Sequence, residues 1–313
     1  MKALAIAGVM ALVVSSPVFS QDVQTPPSII GPCWVIGVQD GDSITVRTTD
    51  EERIDVRYIG IDAPERERSF GGEALNRNAE LVEGHEVWLE VEVTDGRYLS
   101  DRDGRVLAYV FLDSECSKLV QEVLISEGLA LIDVRNVVDR DLYPDAFPIR
   151  YSARFIEAQI EAACNRRGLW VEMVPERGGL IIAAIEFWGE IETVYLVNID
   201  DEAIDLAANW VLMDEHAHER WEKGETPRYL LKFGPTLGPE CALPPGGILK
   251  ICTGSGIPER QRRTRVGCGT SEVTFNWCGS KVWDNRAGDT AFLYSPDGEL
   301  YFTYQYPWQE RGA

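Results

Sequence analysis

Apolar and polar residues alternate in short segments over the first third of the chain, a pattern typical of half-buried strands. The alternation predicts five β-strands, over residues 34–38, 44–46, 54–58, 87–93 and 106–112. An Asp-Gly turn at residues 40–42 separates the first two strands, and an acidic turn at 49–52 follows the second. Arg57 lies between Val56 and Tyr58, so we expect its side chain on the opposite face of the third strand.

Helical spacing of apolar residues replaces the alternation in three segments, over residues 72–82, 119–127 and 151–167. Gly128 and Gly168 follow the last two segments, where glycine commonly ends a helix. Strands and helices in this order predict a mainly β fold, with a five-stranded OB-fold barrel and three helices.

The second half is poor in helical periodicity and rich in short apolar segments between turn-forming residues. It predicts strands over residues 180–185, 193–198, 203–206, 210–213, 229–233, 248–252 and 290–294. Many short strands separated by turns favour an immunoglobulin-like β-sandwich. Trp210 and Trp283 are expected in its core, because large aromatic side chains fill such cores. Residues 214–225 and the basic segment 259–265 are expected to be solvated loops.

The first 20 residues have the features of a secretory signal peptide, with a basic residue at Lys2, an apolar run over residues 3–14 and a small residue at position 20. The apolar run is too short to cross a bilayer, which takes about 20 residues. We therefore expect a secreted or periplasmic bacterial protein without a membrane span. Its two domains are predicted over residues 34–172 and 180–306.

The chain has seven cysteines, and the compartment decides whether they form disulfides. An oxidising compartment favours disulfides, and the four cysteines of the second half could pair in three ways. An odd thiol then remains in a monomer, which is the state we expect. Zinc is the alternative, but the sequence has no Cys-x-x-Cys pair and its only close histidines are His216 and His218.

The formal net charge of −21 argues against broad electrostatic attraction of nucleic acid. The run ERQRRTR at residues 259–265 is the only concentrated positive segment, and it could contact nucleic acid or another acidic surface. Any other contact with phosphate must depend on a few arginines and a bound cation at one site.

Charged residues gather at predicted strand ends in and beyond the stretch over residues 40–65. The set consists of Asp42, Asp62, Glu65, Arg57 and Arg105. Carboxylates can hold a divalent cation that offsets phosphate charge, and arginines stabilise the extra charge of a phosphodiester transition state. A further carboxylate can serve as a general base for water. Together these residue types indicate a metal-dependent phosphodiesterase.

The motifs DGD, VRYIGIDAPE, SDRDGRVLAYVF and LVQEVLISEGLA resemble the staphylococcal nuclease (thermonuclease) family over residues 34–172. The resemblance implies that Asp42 and Asp62 are carboxylate ligands of Ca²⁺ and that Ala63 supplies a backbone carbonyl. It also implies hydrolysis of DNA and RNA on the 5′-oxygen side, leaving 3′-phosphates. We expect single strands to be the preferred substrates.

Within the same resemblance, Glu65 orients or deprotonates the attacking water, and Arg57 and Arg105 hold the scissile phosphate. Asp40 and Asp101 also match family positions and are interpreted as supporting or turn residues. The sequence differs from the best-known members at Asp103, where they carry an aromatic residue beside the phosphate. Alanine in place of either arginine is expected to slow cleavage by orders of magnitude with folding intact.

Residues 180–306 are similar to the bacterial lamin-tail domain through the motifs VYLVNIDDEAIDLAANWVLMD, LPPGGILKICTGSG and WCGSKVWDNRAGDTAFLYSPDGELYFTYQY. This resemblance implies an accessory sandwich without catalytic residues, whose ligand the sequence does not identify. The main hypothesis is therefore a secreted Ca²⁺-dependent nuclease. The alternatives are a non-catalytic OB-fold module that binds nucleic acid or protein, and a protein whose lamin-tail domain acts mainly as an envelope tether.

Overall fold

The computed structural model of the protein describes residues 28–94, 96–133, 150–237, 241–283 and 288–306. The predicted signal peptide over residues 1–20 lies outside these ranges. Across the described ranges, no helix is both long enough and apolar enough to cross a membrane.

The first half of the chain forms a closed barrel with helices around it. Its elements are β1 (Ser28–Val38), β2 (Ser43–Arg47), β3 (Arg53–Tyr58), β4 (Ile61–Asp62), α1 (Gly71–Val82), β5 (Glu86–Val91), β6 (Val93–Thr94), β7 (Arg97–Tyr98), β8 (Val106–Phe111), α2 (Val120–Ser126), β9 (Leu131–Ile132), α3 (Ser152–Cys164) and α4 (Trp170–Met173). Strands β1, β2, β3, β8 and β5 pair in this order and close the barrel, with β3 and β8 parallel. The barrel with α1, α2 and α3 confirms the predicted OB-like fold class.

The barrel interior is filled by the apolar residues that alternate along the predicted strands. Ile44, Val46 and Leu107 are fully buried, as expected when successive side chains point to opposite faces of a strand. The barrel differs from the prediction at its start, because β1 begins at Ser28 rather than at residue 34. The additional residues pair with β5, and Ser28 lies opposite Val91.

The second half forms two larger sheets and one two-stranded sheet. Its elements are β10 (Leu180–Glu186), β11 (Glu192–Asn198), β12 (Ile204–Asp205), β13 (Val211–Met213), α5 (Glu215–Glu222), β14 (Leu230–Lys232), α6 (Phe233–Leu237), β15 (Ala242–Leu243), β16 (Ile248–Thr253), a 3₁₀ turn (Glu259–Gln261), β17 (Thr264–Val266), β18 (Glu272–Cys278), β19 (Asp289–Tyr294) and β20 (Leu300–Tyr306). One larger sheet has the order β10-β11-β16-β18-β17 and the other β14-β13-β19-β20, while β12 and β15 form the two-stranded sheet. Both larger sheets bury side chains in one apolar cluster, which is consistent with the predicted sandwich.

Trp210 and Trp283 are 6% and 2% exposed and belong to this apolar cluster, which confirms that they fill the core. Within the described residues, Cys241 and Cys268 form the one disulfide. Cys252 and Cys278, the other two cysteines of this half, are free thiols. The disulfide joins the residue before β15 to the turn between β17 and β18.

Two segments that were expected to be loops contain regular structure. Residues 214–225 include helix α5, because the Asp214 carboxylate accepts the backbone N–H of Ala217 at 2.7 Å and caps the helix. The basic segment 259–265 contains the 3₁₀ turn and the start of β17, an edge strand that pairs with β18. Strands β15, β17, β18 and β20 are additions to the strands predicted for this half. Strand β15 is only two residues long, and polar residues obscure the apolar alternation in the other three.

Helix α3 connects the barrel half to the sandwich half through buried contacts. Ala162 of α3 and Trp170 of α4 lie in the same apolar cluster as Leu180 and Ile182 of β10. The two halves therefore share part of one core.

Gln159 of α3 is fully buried and bridges the two halves with hydrogen bonds. Its Oε1 accepts the backbone N–H of Ile132 in β9 at 2.8 Å. Its Nε2 donates to the carbonyl of Ala183 in β10 at 2.7 Å and to the hydroxyl of Tyr304 in β20 at 3.0 Å. Strand β9 pairs with β4, where Asp62 lies opposite Leu131. The hydrogen bonds of Gln159 therefore reach β9, which pairs with the strand that carries Asp62, a predicted metal ligand.

We expect Gln159→Leu to lower the free energy of unfolding by about 2–4 kcal/mol, because each buried polar partner left unpaired costs about 1–3 kcal/mol. Urea denaturation followed by circular dichroism measures this change. Gln261→Leu is the matched control, since Gln261 is exposed, and its effect should stay within about 0.5 kcal/mol. Equal effects of the two substitutions would contradict the bridging role of Gln159.

Candidate active site

The turn between β1 and β2 fixes the position of Asp42. Oδ1 of Asp40 accepts the backbone N–H of Asp42 at 3.0 Å, as aspartate often does in turns. The carbonyl of Asp40 accepts Nδ2 of Asn78 at 2.9 Å, which fastens the turn to α1. Oδ1 of Asn78 accepts the hydroxyl of Tyr58 at 2.8 Å. Asn78 of α1, which is itself hydrogen-bonded to Tyr58 at the end of β3, thus holds the turn in place.

Gly41 lies at the closest approach of this turn to its neighbours. A Cβ atom at this position would lie 2.6 Å from Cβ of Ala63 and 2.7 Å from Cβ of Ala74. Real Cβ atoms do not approach each other so closely. The missing side chain therefore lets the turn pack directly against both alanines.

Arg57 lies between two carboxylates. Its Nη1 is 3.1 Å from Oδ2 of Asp42, and its Nη2 is 2.9 Å from Oδ1 of Asp62. Nη1 also donates to the carbonyl of Tyr58 at 3.1 Å. Because Arg57 is only 6% exposed, this charged group is largely withdrawn from water.

Ala63 contributes to the site through its backbone. Its N–H donates to Oδ2 of Asp42 at 2.7 Å, the same oxygen that faces Arg57. Pro64 follows and disfavours helical backbone angles at Ala63. The segment after β4 is therefore held open beside Asp42.

Arg105 reaches the site from the segment before β8. The Asp101 carboxylate accepts its backbone N–H at 2.9 Å and its Nε at 2.7 Å. Nη2 of Arg105 is 3.5 Å from Oδ2 of Asp103, whose side chain is 79% exposed. Asp101 thus fixes the guanidinium, while Asp103 adds a solvent-facing ion pair at the position where the family resemblance predicts an aromatic residue.

One cavity of about 190 Å³ brings the predicted residues together. It is lined by Asp40, Asp42, Arg57, Asp62, Ala63, Glu65 and Arg105. All six predicted site residues line this cavity, together with Asp40, which was interpreted as a supporting or turn residue. Their arrangement can bind an anion through two guanidinium groups and a cation through neighbouring carboxylates.

Burial dominates the electrostatics of the two central aspartates. It raises the pKa of Asp42 well above the usual range, and the positive charge of Arg57 opposes this rise. Burial also raises the pKa of Asp62 to about 7, again against the effect of Arg57. A single guanidinium therefore compensates the two carboxylates incompletely, so their ionised forms would be stabilised by an additional cation.

The donors of the cavity fit a hard divalent cation that retains water ligands. Carboxylate and carbonyl oxygens are the ligands that Ca²⁺ and Mg²⁺ prefer. In the described part of the chain, no three side chains of His, Cys, Asp or Glu form a complete metal site. If such an ion binds, Asp42, Asp62 and the Ala63 carbonyl would hold it together with water.

Asn78 is the main functional residue that pattern reading missed. It is fully buried and supports both Asp40 and Tyr58. A signal was present, because Asn78 follows Ala74 and precedes Val82 at four-residue spacing on the apolar face of α1. A polar residue on such a face requires hydrogen-bond partners.

His216 and His218 lie on α5, away from the cavity. The His218 ring stacks on Phe292 at 3.7 Å between centroids, and its Nδ1 is 3.0 Å from the hydroxyl of Tyr294. His218 thus packs against the second sheet. His216 lines a separate cavity of about 410 Å³ with Trp283 and several carboxylates.

Comparison with known proteins identifies relatives of the barrel half. Residues 55–172 match the family described as "Staphylococcal nuclease homologue". The chain is 30% identical to a "Micrococcal nuclease" of Shigella flexneri over 44% of its own length and 76% of that protein. It is 29% identical to an "Uncharacterized endonuclease" of Haemophilus influenzae, over 46% of the chain and 68% of that protein. A further "Uncharacterized endonuclease", of Escherichia coli, is 28% identical over 45% and 78%.

Proposed function

The chain belongs to the staphylococcal nuclease family, and from its site we propose that it is a Ca²⁺-dependent nuclease acting on DNA and RNA, preferentially on single strands. The observation that carries the proposal is the cavity that Arg57, Arg105 and Glu65 share with the buried Asp42 and the partly buried Asp62. Cleavage on the 5′-oxygen side would leave 3′-phosphates.

Each side chain has a distinct role in the proposed reaction. Arg57 and Arg105 bind non-bridging oxygens of the scissile phosphate and stabilise the charge that develops on them. Glu65 orients the attacking water and accepts its proton. Asp42, Asp62 and the Ala63 carbonyl hold Ca²⁺, which when bound offsets phosphate charge.

The direct test incubates the full-length chain with labelled single-stranded DNA, single-stranded RNA and duplex DNA, with Ca²⁺ or with EDTA. We expect cleavage only with Ca²⁺, and a loss of about 10³-fold in rate for Asp42→Asn. Asp55→Asn is the matched control, because Asp55 is an exposed carboxylate on β3. Binding of these strands without Ca²⁺-dependent cleavage would favour the non-catalytic OB-fold module instead.

Asp103→Asn should raise kcat/KM by up to about fivefold at low salt. A bound phosphate must displace the Asp103 carboxylate from Arg105, and an exposed ion pair of this kind is worth about 0.2–1 kcal/mol. Steady-state cleavage at several salt concentrations measures the effect, which should shrink as salt screens the pair. Asp50→Asn, at another exposed carboxylate of the barrel half, provides the control. An unchanged or lower kcat/KM for Asp103→Asn would contradict competition at Arg105.

We also propose that the sandwich is a lamin-tail accessory domain over residues 180–306 and that the protein is exported after removal of residues 1–20. The motif order in the second half and the leader-like composition of the first residues support these assignments. Fractionation of the source cells, with sequencing of the mature N-terminus, tests export. A retained Met1 in the cytoplasmic fraction would contradict it.

A further inference from the structure

The basic segment of the sandwich half forms an exposed edge of the five-stranded sheet. The 3₁₀ turn carries Arg260, and β17 follows directly after Arg262 and Arg263. The backbone N–H of Arg263 donates to the carbonyl of Asn276 in β18 at 2.5 Å. The arginines are therefore attached to ordered backbone rather than to a free loop.

Three of these arginines have no carboxylate partner among the residues that the structure describes. Within the described part of the chain, no ion pair involves Arg260, Arg262 or Arg263, although all three are exposed. In the barrel half, by contrast, Arg77 is 2.8 Å from the Glu127 carboxylate. Unpaired guanidinium groups concentrated on a chain of net charge −21 point to an acidic partner outside the chain.

Aromatic side chains lie beside these arginines. The Arg228 guanidinium lies 5.0 Å from the centre of the Tyr229 ring, and that ring is 6.5 Å from the Trp277 ring. Tyr229 thus contacts both Arg228 and Trp277. Burial raises the pKa of the neighbouring Cys278 thiol, and the charges of Arg262 and Arg228 oppose the rise.

The Arg262 guanidinium also lies against the backbone of Gly279. Its Cζ would be 2.3 Å from a Cβ placed on that glycine. Arg262 thus packs beside the end of β18, which carries Trp277. We call this set the arginine–aromatic surface: Arg228, Tyr229, Arg260, Arg262, Arg263 and Trp277.

We propose that the arginine–aromatic surface binds a single-stranded nucleic acid. Guanidinium groups bind phosphate oxygens, and the partly exposed rings of Tyr229 and Trp277 can stack on unpaired bases. Single-strand binding uses this combination of charge and stacking. The inference deepens the proposed nuclease function and rests on it. The surface is a second contact for the substrate strand, separate from the cavity where cleavage is proposed.

The first experiment measures binding without cleavage. The full-length chain is titrated against a fluorescently labelled 40-nucleotide strand in EDTA, at several salt concentrations. The triple variant Arg260→Gln/Arg262→Gln/Arg263→Gln should bind at least about tenfold more weakly, and its slope of log K against log salt should fall by about 2, given about 0.7 counterions per phosphate contact. Trp277→Phe should weaken binding about threefold to tenfold.

The matched control is Arg47→Gln/Arg53→Gln/Arg167→Gln, which removes the same charge from exposed positions of the barrel half. Equal loss of affinity in both triple variants would overturn the proposal, because net charge alone would then explain binding. Unchanged affinity of the first variant would also overturn it. The proposal would also be overturned if polyglutamate bound as tightly as the DNA strand and Trp277→Phe left both affinities unchanged. That result would favour an acidic protein partner.

A second measurement separates this surface from the cavity. With Ca²⁺, the first triple variant should show a raised KM for the 40-nucleotide strand and an unchanged KM for a dinucleotide, which is too short to reach both places. If wild type cleaves neither substrate, the nuclease proposal fails while the EDTA titration still decides on the surface. A raised KM for the dinucleotide as well would contradict a separate contact.

Discussion

Arg57→Ala should reduce the cleavage rate of the proposed nuclease by about 10³-fold, because it removes a donor aimed at the developing charge of the phosphate. It should also destabilise the fold. Arg57 is only 6% exposed and separates the carboxylates of Asp42 and Asp62, and breaking a buried ion pair typically costs about 3–5 kcal/mol. Single-turnover cleavage and urea denaturation, both on the full-length chain, measure the two effects.

Arg53→Ala is the matched control on the same strand. Its side chain is 68% exposed and pairs with Asp55 at 3.4 Å in solvent, so its unfolding free energy should change by less than about 0.5 kcal/mol. Ca²⁺ should restore part of the stability of Arg57→Ala, because it would replace a positive charge between the aspartates. Full activity of Arg57→Ala, or a stability equal to that of Arg53→Ala, would contradict a central role of Arg57 in the site.

Gly41→Val should have the second largest effect, through geometry rather than charge. Its Cβ would lie 2.6 Å from Cβ of Ala63 and 2.7 Å from Cβ of Ala74, and an alanine Cβ cannot rotate away. The turn must move, which should cost about 1–3 kcal/mol or more in stability. Since Asp42 is the next residue, a displacement of about 1 Å should lower the rate by about 10²-fold.

Gly72→Ala offers a control for Gly41→Val. Gly72 lies on α1, and a Cβ there would have no atom within 4 Å. The alanine should raise stability by about 0.4–1 kcal/mol, because it reduces the entropy of the unfolded chain. Thermal unfolding and steady-state cleavage of both variants give the comparison. Wild-type activity in Gly41→Val would show that the turn does not position Asp42.

Strand periodicity predicted the barrel well because its inner face is buried and its outer face is wet. Ile54 and Val56 mark such a strand, because both are buried while Arg53 and Asp55 alternate with them and are exposed. The elements that the sequence did not predict lie where buried and exposed positions are hard to distinguish by residue type. Helix α5 depends on the Asp214 cap inside a uniformly polar segment, and β17 is an exposed edge whose residues are held by pairing with β18.

The candidate site could be predicted as a set of residues but not as an electrostatic arrangement. The motifs group Arg57 with Asp42 and Asp62, and the cavity contains all three. Burial is a property of the packed fold, so the sequence suggested that Arg57→Ala would leave folding intact. The structure changes this expectation for Arg57 and keeps it for Arg105, whose side chain is 32% exposed.

The core shared by α3 and β10 has a consequence for how the two halves act on one molecule. A flexible linker between domains would let a tethered strand sample many distances, and its effective concentration would fall with linker length. Here, Gln159 and the buried residues around it join the barrel directly to the sandwich. A nucleic-acid strand bound to one half would therefore encounter the other half at an effective concentration that is set by the fixed geometry of the two halves. Shortening or lengthening residues 175–179 would change this concentration only if it also disrupted the shared core.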